Sequence, residues 1–341
     1  MTPKVVCFGE LMLRLSPPGY LRFVQAESYN ATYGGAEANV AVSCANYGLD
    51  AWFVSKVPQN EIGQGAINSL RKFGVNTSWM VRGGPRLGVY FVEKGAAQRP
   101  SKVVYDRANS SIATATPEDF DWPQILSGSS WFHTTGITPA LSESAARICQ
   151  QALCAAKQAG CTTSFDLNFR KNLWSSERAN EVLAPMMEYV DICIANEEDA
   201  ESVFGIKAEQ SDVEKGKIDG ESYKQVATKM VERFGFKACA ITLRESLSAS
   251  DNGWSALYYD GTQFYESKRY MVHIVDRVGG GDSFAAGLVY SLLSNRHPGK
   301  AVEFAVAASC LKHSIEGDYN AVTASEVEKL AQGKASGRVE R

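Results

Sequence analysis

Long apolar runs are missing from this 341-residue sequence, where nothing approaches the roughly 20 consecutive apolar residues that cross a bilayer. The N-terminal run "VVCFGELMLRL" is interrupted by Glu10 and Arg14, and no small-residue cleavage site follows it. It reads as a first strand and not as a signal peptide. An excess of one charge is missing too. Thirty-five Lys and Arg against 38 Asp and Glu leave a net charge of −3, which gives no footprint for nucleic acid. No basic amphipathic stretch marks a membrane surface. Histidine is scarce: the four present are scattered without metal-ligand spacing, which argues against a zinc site. None of the eight cysteines (Cys7, Cys44, Cys149, Cys154, Cys161, Cys193, Cys239 and Cys310) forms a CxxC pair, and most sit in apolar segments. They read as reduced, buried thiols of a cytoplasmic protein.

What is present is ordinary for a globular chain with a sizeable core, at 45% hydrophobic and 21% charged residues. Short, apolar, often β-branched runs at 5–8, 51–55, 131–134, 163–167, 192–195 and 238–242 predict strands. Longer patterns at 142–159 (closed by Gly160), 177–189 and 223–234 (closed by Gly235) predict helices. This alternation predicts an α/β fold, with an open, mostly parallel sheet covered by helices on both faces. Two regions, about 13–33 and 87–107, break the rhythm. There "LGVYFVEKG" and "KVVYDR" read as antiparallel strands joined by the turn "GAAQRPS", either a small lid sheet or ordinary edge strands. Residues 207–222 are polar and charge-rich and predict an exposed loop, and the tail "GKASGRVER" predicts disorder.

The segment "IVDRVGGGDSFAAGLVYSLL" sets the functional question. Gly279, Gly280 and Gly281 run into Asp282 just before a helix of small and apolar residues. Three consecutive glycines are costly in conformational entropy. Without side chains, however, their amides can approach a ligand, and a helix N-terminus adds unpartnered N–H groups and partial positive charge. Together these make a nest for an anion such as phosphate. An aspartate beside it is placed to take a proton from an attacking hydroxyl. The plain alternative makes Asp282 a helix N-cap and the glycines a tight turn. The segment holds neither a GxxxxGK[ST] loop nor a GxGxxG fingerprint.

Other polar groups gather where strands are predicted to end, the ligand-binding edge of an open parallel sheet. In "YGGAEANVAVSCANYG", Gly34 and Gly35 precede a helix carrying Asn39. In "SFDLNFRKNLW", Asp166, Asn168 and Arg170 alternate, which puts them on one side of the chain. "ICIANEEDAESVFG" ends a strand at Asn196, and "AITLRES" carries Thr242 and Arg244.

Taken in this order, the motifs resemble those of the ribokinase-type sugar kinases, the PfkB family, over nearly the whole chain. Gly34, Gly35 and Asn39 match its GGxxxN, and Asp166, Asn168 and Arg170 its DxNxR. Asn196 falls in its NxxE region, and "DRVGGGD" matches its late DTxGAGD signature. The resemblance implies one ribokinase-like domain over 1–341 with a β-sheet lid, and phosphorylation of a sugar hydroxyl by Mg–ATP. Asp282 is then the base and lies against the substrate, the three glycines form the anion hole, and Arg170 joins the catalytic set by helping to hold charge across substrate and phosphate. Asn196, Thr242, Arg244, Gly279, Gly281, Lys312 and Asn320 are expected on the nucleotide side, with His313. Magnesium is expected to be held mainly through phosphates and water, with Asp199 reaching it indirectly. A monovalent cation such as K⁺ is expected near Asp276. Two departures from the family pattern are Asp199 in place of glutamate and Arg277 in place of threonine.

Arg14 stands where ribokinase-type and fructokinase-type enzymes carry an aspartate for neutral hydroxyls, and a cation there suits an acid substrate. Together with Gly34, Gly35, Asn39, Tyr90, Tyr105, Arg107 and Arg170 it resembles the substrate residues of the 2-keto-3-deoxygluconate kinases. That implies transfer of the γ-phosphate to the terminal hydroxyl of a six-carbon keto-deoxy acid. The alternatives are a fructokinase or another kinase of the family, an inert sugar sensor, and an NAD-dependent dehydrogenase. The missing dinucleotide fingerprint speaks against the last. The exposed lid sheet is expected to pair copies into a homo-oligomer.

Overall fold

The computed structural model describes residues 2–207 and 220–334, so most of the charged loop expected at 207–222, and all but the first two residues of the tail, lie outside the described residues. Nine strands form the central sheet. In spatial order these are Phe264–Glu266, Asp251–Tyr259, Ala238–Ser246, Ile192–Ala195, Thr162–Asp166, Trp131–Thr135, Lys4–Phe8 and Asp50–Val54, with Tyr270–His273 also pairing Asp251–Tyr259. From Ala238–Ser246 to Asp50–Val54 every pairing is parallel, in registers such as Asp166 opposite Thr135 and Ile194. The remaining strands add an antiparallel edge.

Parallel strands need both faces covered, and these are buried almost without interruption. Alternation along the first strand divides its side chains between two cores. Val5 and Cys7 pack with Ala38, Val42, Phe284 and Phe304, from helices Ala36–Asn46, Gly280–Leu293 and Pro298–His313. Val6 and Phe8 pack with Ile148, Leu153 and Leu183, from helices Glu143–Gln158 and Ser176–Met186. The expected helices occur with small shifts. Ser142 is the N-cap of the first, its side chain accepting from the Ala145 amide at 3.0 Å. The second ends at Met186 next to Pro185, and a single tighter turn carries the chain to Tyr189. All eight cysteines are free thiols, seven of them buried. Among the described residues no helix is long and apolar enough to cross a membrane.

The two irregular regions build a separate four-stranded sheet, in the order Asn30–Gly34, Met12–Ser16, Gly88–Glu93, Lys102–Asp106. Its last two strands form the expected antiparallel hairpin, with Tyr90 opposite Tyr105. Lys102–Asp106 is exposed at every position, as an edge strand is.

Candidate active site

The carboxyl ends of the central strands and the inner face of the small sheet enclose a cavity of about 440 Å³. A second cleft of about 790 Å³ adjoins it and shares Val103, Tyr105, Arg107, Arg170 and Asp199. The glycine trio forms part of the cavity wall, and its three members have different reasons to lack a side chain. Gly279 holds φ +85°, and a Cβ there would lie 2.2 Å from the Asp318 carbonyl oxygen. A Cβ at Gly280 would lie 2.6 Å from the His313 ring. A Cβ at Gly281 would meet no protein atom within 4 Å, so the space kept open there belongs to the cavity. Gly281→Ala is therefore expected to leave stability unchanged, or higher by up to about 1 kcal/mol, since alanine favours the helix. The same change is expected to lower kcat/KM about tenfold or more by intruding on the anion site. Thermal melts and steady-state kinetics on one preparation separate the two effects.

Asp282 is not an N-cap. Gly279 takes that position, no side chain caps the helix, and the Asp282 Oδ2 instead accepts from Asn39 Nδ2 at 2.7 Å. Burial pushes this half-buried carboxyl up to about 7. Asp318 and Glu37 add to the rise, while the Asn39 hydrogen bond and Arg170 oppose it. The Gly280 amide donates to the Arg277 carbonyl at 3.3 Å, so within the first helical turn it is the Gly281 and Asp282 amides that have no acceptor one turn back and remain for a ligand.

Asp166, Asn168 and Arg170 all line the cavity, although the strand ends at Asp166 and strand alternation does not reach the other two. Asn168 turns the chain with φ +40°, and its amide donates to Asp166 Oδ1 at 3.1 Å. Burial, then Asp199 and Asp282, hold Asp166 well above the usual carboxylate range, and burial lifts Asp199 to about 6. Asn196 caps helix Glu197–Phe204, its Oδ1 accepting from the Asp199 amide at 2.7 Å, which leaves its NH₂ for a ligand. Thr242, Arg244 and Arg277 line the cavity too. Arg277 donates to the Ala249 carbonyl at 3.0 Å, and burial and the neighbouring Arg244 charge lower its pKa. Two neighbouring cations in a cavity wall suit an anion. His313 also lines the cavity, with its pKa pushed down to about 4 by burial. The ring is therefore neutral at pH 7, and its Nδ1–H donates to the Ser309 carbonyl at 2.7 Å.

Five expectations need correction. Arg14 is 2% exposed and does not face the cavity. Its Nη1 donates to Asp318 at 2.7 Å, its Nη2 to Asp276 at 2.5 Å and its Nε to Ser16 at 2.9 Å, so the carboxylates it reads are the protein's own. Gly34 makes room for Asp318, whose carboxylate would lie 2.1 Å from a Cβ, and not for a ligand. Asn320 is fully buried and donates to the Ala308 carbonyl at 3.0 Å, away from the cavity. Lys312 is fully buried behind the glycines and does not line the cavity. The fifth is the monovalent cation at Asp276, because the oxygens of that residue are already in use. Oδ2 accepts from Arg14 and from the Gly317 amide at 3.1 Å, Oδ1 accepts from the Val278 amide at 3.2 Å, and the carbonyl accepts from Lys312.

Gly35, Asn39, Tyr90, Tyr105, Arg107 and Arg170 do line the cavity. Tyr90 donates its hydroxyl to Asp318 and stacks with Tyr105, ring centroids 5.9 Å apart. Arg107 gives Nε and Nη2 to Glu10, which also accepts from Ser110 Oγ at 2.6 Å, leaving Nη1 for a ligand. Arg170 forms no ion pair among the described residues, and its one hydrogen bond, 3.2 Å, goes to the Phe169 carbonyl. Sequence reasoning missed Glu10, Glu37 and Asp318. Asp318 follows Gly317 in "EGDYN", a glycine-acid turn whose pairing with Arg14 no local pattern signals.

Residues 2–324 match the pfkB family carbohydrate kinase pattern. The 2-dehydro-3-deoxygluconokinase of Thermotoga maritima is 52% identical and superposes with a TM-score of 0.94, covering 97% of this chain and 100% of its own. A PfkB family carbohydrate kinase from Listeria grayi is 35% identical with a TM-score of 0.89, covering 96% and 99%. The 2-dehydro-3-deoxygalactonokinase of Haloferax volcanii is 33% identical over 337 residues, 99% of each chain. The fold is ribokinase-like, a mostly parallel central sheet flanked by helices with a separate small sheet.

Proposed function

Because the chain belongs to the pfkB family of carbohydrate kinases, we propose that it transfers the γ-phosphate of ATP to the terminal hydroxyl of a 2-keto-3-deoxy sugar acid (2-dehydro-3-deoxy in systematic nomenclature), 2-keto-3-deoxygluconate being the favoured substrate. The observation that carries this reading is the Asp282 carboxyl. It is shifted toward neutral pH, held by Asn39 and set in the cavity beside the glycine trio. A base with a pKa near 7 is matched to taking a proton at neutral pH. The hydroxyl lies against Asp282 and the transferring phosphoryl group against the trio's amides, which stabilise charge as it develops. Arg244 and Arg277 hold the nucleotide phosphates, and the neutral His313 ring lies alongside the nucleotide.

The sugar acid lies under the small sheet, between the Tyr90–Tyr105 stack and Arg170. Arg170 is an available counter-charge for a carboxylate, and Arg107 offers Nη1 to a hydroxyl or carboxylate oxygen. The small sheet acts as a lid that excludes water, the competing acceptor.

Magnesium enters with ATP. Asp166 and Asp199 fit such an ion, since both carboxyls sit above their ordinary range in a cluster of acids. Nucleotide and water would supply most of the coordination, as this ion keeps several waters and binds through few carboxylates. When bound, the ion offsets negative charge on the β- and γ-phosphate oxygens.

The test is kcat/KM with 2-keto-3-deoxygluconate, fructose and ribose at fixed Mg–ATP. The keto-deoxy acid is expected to lead by about a hundredfold or more, the discrimination set by a charge partner the neutral sugars lack. A lead for fructose would keep the kinase and overturn the role given to Arg170.

A further inference from the structure

Lys312 is a fully buried lysine in the last turn of helix Pro298–His313, and it pairs with no carboxylate among the described residues. An ammonium group is costly to bury without a partner. Its partners here are backbone carbonyls, of Ile315 at 2.9 Å and Asp276 at 3.5 Å, the kind of oxygens that would coordinate a monovalent metal ion. These carbonyls flank the glycine trio from two segments. Asp276 lies three residues before Gly279, and Ile315 lies in the turn leading to Asp318, whose own carbonyl presses on Gly279. The Lys312 Cε would lie 3.3 Å from a Cβ at Gly279, so the lysine stem packs directly beneath the anion site.

The charge balance points the same way. The buried cluster holds the cations Arg14 and Lys312 and the carboxylates Asp276 and Asp318, with Asp282 close enough to act on Lys312. Two positive and three negative charges leave −1 when Asp282 is ionised. Without Lys312 the balance would be −2, next to the place where phosphate must bind.

We propose that the Lys312 ammonium is a built-in cation that fixes and charges the glycine-trio anion site, in the place a monovalent metal ion would otherwise fill. It is a positioning residue, acting through the Asp276–Gly279 backbone without touching substrate. The proposal rests on the kinase reading for its consequence, but its test needs no sugar. Burial lowers the Lys312 pKa, and Asp276, Asp318 and Asp282 oppose that shift and favour the charged form.

The experiment compares the wild-type protein, Lys312→Ala and Lys312→Met in potassium, sodium, ethylammonium or tetramethylammonium chloride at equal ionic strength. It reads the melting temperature and the Kd for a non-hydrolysable Mg–ATP analogue. Wild-type values are expected to be the same in all four salts, Kd within about twofold. Lys312→Ala is expected to bind the analogue about tenfold or more weakly in tetramethylammonium, and to regain affinity and melting temperature in potassium or ethylammonium. Lys312→Met, whose side chain refills the space without charge, is expected to stay weak in every salt.

A wild-type protein that needs potassium would overturn the proposal, and so would a Lys312→Ala protein that binds as the wild type does. Weak binding of Lys312→Ala that is indifferent to every cation would reduce Lys312 to a packing role. If neither variant folds, the wild-type salt series alone decides. If the wild type fails to bind the analogue, the nucleotide assignment falls separately, and the cation dependence of the melting temperatures still tests Lys312.

Discussion

Asp282→Asn is expected to lower kcat by about three orders of magnitude, within the range that a positioned general base contributes. The amide keeps the size of the carboxyl and can still accept from Asn39, so the loss is chemical and the fold persists. The variant is also expected to be more stable than the wild type at pH 8. The sign follows from the shift. The folded carboxyl titrates near 7, above its ordinary value, so ionisation costs the folded state more than the unfolded one. That cost is absent below about pH 4, where the carboxyl is protonated in both states, and it is complete above pH 7. The melting temperature of Asp282→Asn should therefore exceed that of the wild type at pH 8 and converge with it at pH 4. In the wild type, kcat/KM should fall as pH drops through 7, because protonation removes the base. Near-normal turnover by Asp282→Asn would remove Asp282 from the chemistry.

Arg14→Met is expected to cost about 3–5 kcal/mol of stability, as breaking a buried ion pair from one side does. The two carboxylates Arg14 joins are 2% and 3% exposed, and neither has a second ion-pair partner among the described residues. Burial already raises Asp318, and loss of the guanidinium would raise it further. The destabilisation should therefore be largest at neutral and alkaline pH and shrink on acidification, as the stranded carboxyls take up protons. Adding Asp276→Asn and Asp318→Asn should recover part of the loss, since the three groups act as one network. Urea unfolding at pH 5 and pH 8 measures both effects. A stable Arg14→Met protein with only a raised KM for the sugar acid would return Arg14 to the substrate site.

Arg14 also shows where sequence reasoning stops. A cation near the end of the first strand is visible in the sequence, but its partners lie 262 and 304 residues further on. Nothing local distinguishes a substrate carboxylate from Asp276 or Asp318. Lys312 and Asn320 fail for the same reason, because "CLKHSIEGDYN" does not show that the helix end is buried by the glycine loop. The glycine trio was legible because its requirement is local: a left-handed residue, close backbone approach and a helix start, all within four positions. The parallel strands were legible because burial on both faces leaves continuous apolar runs. The antiparallel edge is less legible, although "YYDGTQFY" carries an Asp-Gly turn signal between Asp251–Tyr259 and Phe264–Glu266. Short, partly exposed strands there carry little hydrophobic pattern.

The most direct measurement of the central claim is phosphorus and proton NMR of the product formed from 2-keto-3-deoxygluconate and Mg–ATP. The account predicts stoichiometric ADP and one phosphate ester, its phosphorus coupled to the two protons of the terminal carbon. That is the hydroxyl placed against Asp282. An ester at any other oxygen, or release of inorganic phosphate with the sugar acid unchanged, would contradict it.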